Sequence, residues 1–175
     1  MMLAVPNHIV KADTTMHAGE WAKKELKRTE LFGKTLGLVG IGNIAQAVAE
    51  RAKAFGMTVK AYDKYVSESD KAEMVPSLEE LVPQVDYLSM HLPKTPETIG
   101  LLNADVIAKM KDGAVVVNTG RGLTVDADAM KAALESGKIA AYATDVWDSD
   151  PPSEDYPILS APNVLMAPHL GASSK

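Results

Sequence analysis

A doubly wound α/β fold built on a parallel sheet is what this sequence predicts, and two observations predict it. From Thr35 onward, short apolar runs alternate with helix-periodic segments, an order that places each strand parallel to its neighbour through a helical crossover. One of those runs, Ala114–Val117, is apolar at every position, as expected of a strand covered on both faces. The length of 175 residues suits one domain with one substantial core.

The elements follow in order. Leu36–Val39 reads as the first strand and Asn43–Phe55 as a helix, with Ile44, Val48, Ala52 and Phe55 sharing its inward face. Gly56 terminates it. Thr58–Tyr62 is rich in β-formers, Lys64–Lys71 is a polar loop, and Glu73–Val75 is a short third strand. Ser77 with Glu80 three residues later forms a capping-box signal for the next helix. Val85–Met90 is another strand, ended by Pro93 and Pro96. Asn103 caps a helix running to Met110, and Asp126 caps one over Ala127–Ser136. Ile139–Val146 and Val164–Met166 complete a sheet of six or seven strands, separated by a loop over Asp148–Pro157 with four acids and three prolines. The segment before this alternation differs. Met2–Val5 is apolar, and His8–Lys27 is polar and helix-compatible, so residues 1–30 read as the end of a helix set apart from the alternating unit over 31–175.

Composition narrows the function. Net charge is −5, and the one basic cluster, Lys23, Lys24, Lys27 and Arg28, is interrupted by Glu20, Glu25 and Glu30, which argues against nucleic acid. No apolar run approaches the ~20 residues needed to cross a bilayer. There is no cysteine, which suits a reducing, cytoplasmic compartment. The four histidines lack paired spacing, so no metal site is expected.

Gly40-Ile-Gly42-Asn-Ile-Ala45 lies between the first strand and the first helix, the setting of a Rossmann phosphate loop. Gly40 permits the tight turn, Gly42 lets backbone approach a pyrophosphate, and the helix N-terminus offers N–H groups to the phosphates. Asp63 ends the second strand 21 residues beyond Gly42, where a carboxylate receives the ribose hydroxyls of NAD and repels the extra phosphate of NADP. Lys64 beside it would soften that selectivity.

Three further residues carry chemistry at strand ends. Arg121, in Asn118-Thr-Gly-Arg121-Gly122, has the planar fork that grips a carboxylate and polarises an adjacent carbonyl. His169, in Pro168-His169-Leu-Gly171, is the natural group to exchange a proton with an alcohol near neutral pH. Asp150 in the acidic loop can orient that imidazole. His91, before the Pro93/Pro96 turn, reads as lining the cofactor or packing its loop.

The set Gly40-x-Gly42, Asp63, His91-x-Pro93, Asn118-x-x-Arg121-Gly122, Asp145-Val146 and Pro168-His169-Leu-Gly171 resembles the D-isomer-specific 2-hydroxyacid dehydrogenases over about Ile9 to Lys175. Glu30–Thr35 and His169–Lys175 are most similar to the phosphoglycerate dehydrogenase branch. The resemblance implies that Arg121 binds substrate, His169 is the acid/base, and Asn43, Ile44 and Asp63 contact the adenosine side of NAD. It places Leu92, Thr119, Gly120, Asp145, Gly171 and Ala172 along the remaining cofactor surface. It also implies a small 2-hydroxy or 2-keto acid substrate, a separate substrate domain of the same enzyme that this chain lacks, and a possible homodimer. Members of the family usually carry Glu where this chain has Asp150, one methylene longer, and often Arg at the place of Asn7. The other reading is a dinucleotide-binding or sensing module without catalysis of its own.

Overall fold

All seven strands of the sheet run parallel, in the order β3-β2-β1-β4-β5-β6-β7. The computed structural model describes residues 1–171 and Ser173. The strands are β1 (Thr35–Val39), β2 (Thr58–Tyr62), β3 (Glu73–Met74), β4 (Tyr87–Met90), β5 (Ala114–Asn118), β6 (Ile139–Thr144) and β7 (Val164–Met166). The order reverses between β1 and β4, and ligands of open α/β sheets bind in the crevice beyond the carboxyl ends at such a switch point.

The helices are α1 (Ile9–His17), α2 (Asn43–Ala54), α3 (Leu78–Leu81), α4 (Ala104–Lys109) and α5 (Ala127–Glu135). Three of them start where local chemistry predicts. Ser77, Asn103 and Asp126 have extended backbone and accept a hydrogen bond from the N–H three residues on, in Glu80, Val106 and Ala129. The helices α3, α4 and α5 cover one face of the sheet, over a core that includes Leu88, Val116, Met130 and Tyr142. The other face packs against α2 and, nearer β5, against Met1, Met2 and Val5.

Three expectations are corrected. The inward face of α2 is Ala45, Ala49 and Ala52, whereas Ile44 is 71% exposed and Phe55 46%. Small side chains let a helix axis approach a sheet closely, so the alanines pack with Leu36, Leu38 and Ala61; Ala52 and the partly buried Val48 face inward as expected, while Ile44 and Phe55 face outward. The helical reading of His8–Lys27 holds only for Ile9–His17; α1 buries no residue, and Gly19, with φ 75°, follows its end. The third strand also stops one residue early, at Met74.

Candidate active site

Parallel strands point all their carboxyl ends the same way, and every described residue with candidate chemistry lies at that edge. Gly40, Asp63 and His91 follow β1, β2 and β4; Arg121, Asp150 and His169 follow β5, β6 and β7. The first group surrounds the switch point and the second forms a contiguous run beside it.

At the switch point, Gly40 adopts φ 92°, and a Cβ there would stand 2.9 Å from the carbonyl oxygen of His91, so only glycine fits the turn. Gly42 differs: a Cβ on it meets no atom within 4 Å. The fold leaves that position open in front of the first turn of α2, where Gly42 supplies no side-chain cap for the free N–H groups. An open approach, a positive helix end and uncapped donors fit a dinucleotide pyrophosphate. Asn43 and Ile44 are exposed beside it.

The Asp63 carboxylate is half-buried and braced by three backbone donors: Ile41 N–H at 2.9 Å on Oδ2, and Tyr65 N–H at 2.8 Å and Val66 N–H at 3.2 Å on Oδ1. This fixes its charge next to the glycine turn. Lys64 is drawn away to Glu97, with Nζ 2.6 Å from Oε2. His91 packs the loop, its Nε2 2.9 Å from Ser89 Oγ, and burial pushes its pKa down to about 4. Leu92 is half-buried next to it.

In the second group, the imidazole Nδ1 of His169 lies 2.6 Å from Asp150 Oδ2. The shorter acid therefore reaches the ring. His169 itself has φ 55°, a left-handed conformation more accessible to histidine than to most side chains. That turn aims the next two N–H groups at Asp145, whose Oδ1 accepts from Leu170 (2.8 Å) and Oδ2 from Gly171 (2.7 Å). Asp145 is only 5% exposed, so it acts as a brace under the His169 loop.

Arg121 is exposed, and its Nη1 donates to the carbonyl of Gly120 at 2.7 Å. Asn118 and Thr124, both buried, shape its loop: Asn118 Nδ2 and Thr124 Oγ1 donate to the Arg121 carbonyl, and Asn118 Oδ1 accepts from Gly120 N–H. Thr119 is exposed and Gly120 half-buried on the same turn. A Cβ on Gly122 would fall 2.1 Å from the carbonyl oxygen of Trp147, so the Arg121 turn sits directly on the chain leading to Asp150. Trp147 in turn donates from Nε1 to the carbonyl of Ala167, just before His169. Sequence reasoning singled out neither Thr124, Trp147 nor Glu97. The predicted contact at Ala172 lies outside the described residues. Among the described residues, no cluster of three or more acidic or histidine side chains could hold a metal ion, and no helix is long and apolar enough to cross a membrane.

The family model for the D-isomer specific 2-hydroxyacid dehydrogenase NAD-binding domain matches residues 1–171. Among similar proteins, hydroxypyruvate reductase of Thermotoga maritima is 45% identical over 99% of this chain and 58% of its own length. The D-3-phosphoglycerate dehydrogenase of Methanocaldococcus jannaschii is 43% identical over all of this chain and 34% of its own. The solved structure of an NAD-dependent formate dehydrogenase from Staphylococcus aureus, in complex with NAD, superposes with a TM-score of 0.90 at 35% identity, over 97% of this chain and 52% of that one. The chain thus spans between a third and about three-fifths of the length of these relatives. The chain therefore belongs to the D-isomer specific 2-hydroxyacid dehydrogenases, as their NAD-binding domain.

Proposed function

We propose that this chain supplies both the cofactor site and the reactive side chains of an oxidoreductase acting on a small D-2-hydroxy acid. The carrying observation is the 2.6 Å contact between His169 Nδ1 and Asp150 Oδ2 at the strand ends adjoining Arg121. An ionised carboxylate only accepts, so Nδ1 carries the proton and Nε2 of the neutral ring presents a lone pair outward. That nitrogen takes the substrate hydroxyl proton during oxidation, or from the imidazolium returns it during keto-acid reduction. Asp150 holds the ring in this tautomer and stabilises the imidazolium that forms. With one donor committed to the Gly120 carbonyl, the remaining N–H groups of Arg121 can hold the substrate carboxylate and polarise its C2 oxygen. The bound nicotinamide supplies the hydride acceptor or donor.

In this reading residues 31–175 are the dinucleotide-binding domain and 1–30 the linker toward a substrate domain that closes the site from the other side. Hydroxypyruvate and 3-phosphoglycerate, named for its relatives, exemplify the substrate class. The exposed Ile9, Val10 and Met16 of α1, with Trp21 at 74% exposure, supply an apolar arm for a homodimer. A cytoplasmic location, with which a cysteine-free sequence is compatible, completes the reading.

The test uses the chain joined to its substrate domain. Arg121→Ala should lower kcat/KM for 2-keto acid reduction by about 10²- to 10³-fold while NADH affinity stays within about twofold. Turnover equal to that of the unaltered enzyme would remove Arg121 from the mechanism.

A further inference from the structure

NAD selectivity in this fold rests on the carboxylate ending the second strand, yet this chain places a lysine immediately after it, and a lysine there is the group that would welcome the 2′-phosphate of NADP. The structure shows where that cation goes. Lys64 follows β2 and Glu97 follows β4, the two strands that flank β1 on either side. Neighbouring strands lie about 4.8 Å apart, so the two strand ends are roughly 10 Å from each other. The Lys64–Glu97 pair therefore joins the loop after β2 to the loop after β4, the two loops on either side of β1 at the carboxyl edge of the sheet. Its Nζ–Oε2 distance is 2.6 Å, and Nζ also stands 5.6 Å from the centroid of the Tyr65 ring, a second hold on the ammonium. Meanwhile Asp63 cannot turn aside, because its two oxygens accept three backbone N–H bonds.

We propose that Glu97 is a cofactor-specificity residue: it sequesters Lys64 across the mouth of the crevice and so denies NADP the cation that would pair with its 2′-phosphate. The inference rests on the NAD-binding role of this domain and deepens it. Asp63 provides the fixed repulsion, while Glu97 removes the compensating attraction. Both partners are more than half exposed, so the effect is modest and sensitive to salt. It is separable from the fold because neither side chain is buried.

Calorimetric titration of this chain with NADH and with NADPH, at low and high salt, tests it. Glu97→Gln keeps the shape of the side chain and removes its charge. The NADPH dissociation constant should fall about twofold to fivefold, the range expected for releasing an exposed ion pair, while that for NADH stays within about twofold. High salt should shrink the gain. Adding Lys64→Met to Glu97→Gln should abolish it, because the released cation is then absent. An equal shift for both dinucleotides, an unchanged NADPH/NADH ratio, or a full gain in the double variant would each overturn the role assigned to Glu97. If the unaltered chain bound neither dinucleotide, the cofactor reading itself would fail, and this proposal with it.

Discussion

Two glycines beyond the ends of β1 and β5 should respond to the same methyl group in opposite ways. In Gly122→Ala the new Cβ would stand 2.1 Å from the Trp147 carbonyl oxygen, 2.3 Å from its carbonyl carbon and 2.7 Å from its Cα, where ordinary contact begins at 3.4 Å. All three atoms are backbone, so no rotamer change relieves the clash, and either the Arg121 turn or the chain leading to Asp150 must move. Overpacking of this kind costs about 1–3 kcal/mol, and for a chain of this size each kcal/mol lowers Tm by roughly 2–4 °C. In Gly42→Ala the methyl meets nothing within 4 Å. Its effects on capping and on unfolded-chain entropy are each within about 1 kcal/mol and opposite in sign. Stability should stay close to that of the unaltered chain, but the methyl occupies the approach of the pyrophosphate. A steric cost of about 1–3 kcal/mol there corresponds to a loss of roughly fivefold to 150-fold in NADH affinity. Thermal melting and NADH calorimetry on the two variants give four numbers. If Gly42→Ala bound NADH as well as the unaltered chain, or if Gly122→Ala melted at an unchanged temperature, the division between a glycine the cofactor needs and one the fold needs would be wrong.

Asp145→Asn replaces one acceptor of a backbone N–H by an NH₂ that faces it; the loss should be about 1–3 kcal/mol in urea denaturation, and an unchanged midpoint would show that the His169 loop does not depend on this brace. His91, whose pKa burial lowers from 6.5 to about 4, binds a proton more readily in the unfolded chain, so its neutral burial contributes stability above pH 6.5 that is lost as the pH falls toward 4. The loss is at most about 3.5 kcal/mol at ~1.4 kcal/mol per pH unit; urea midpoints at pH 7 and pH 4.5 should therefore converge in His91→Gln relative to the unaltered chain, and identical pH slopes in the two proteins would refute the assignment.

Much of this architecture was legible because its signals are local. A serine, asparagine or aspartate that caps a helix bonds an N–H three residues away, so Ser77, Asn103 and Asp126 announce their helices without help from the rest of the chain. The glycine turn and the reactive strand ends were legible for the same reason, each following an apolar run that could only be a buried strand. What escaped was set by distance of approach. Ranking residues by hydrophobicity put Ile44 and Phe55 inward on α2 beside Ala52, whereas close packing against the sheet selected Ala45 and Ala49 with Ala52. The bracing of the His169 loop by Asp145 also escaped, because its partners lie 25 and 26 residues onward, on a turn whose direction depends on the left-handed backbone of His169. Glu97 meets Lys64 across 33 residues of sequence and two strand spacings, and no local pattern announces such a pair.

The reactive groups themselves are exposed, and their own contacts are few; the order of the site comes from the backbone beneath them. Gly122 lies on Trp147, Trp147 holds Ala167, and Asp145 holds Leu170 and Gly171, so the ends of β5, β6 and β7 are linked in series. A displacement at any one of these contacts reaches both Arg121 and His169, although neither side chain is touched. Because an error of about 1 Å between reacting groups can cost ~10²-fold in rate, the groups that most tightly constrain the proposed site include a glycine, a tryptophan carbonyl and a buried carboxylate lying beneath the Arg121 and His169 loops. This also accounts for how an aspartate at position 150 meets the His169 ring in the proposed site. The reach of a carboxylate toward His169 is decided by where the loop after β6 is anchored, and Trp147 anchors it close enough for the shorter side chain to close to 2.6 Å.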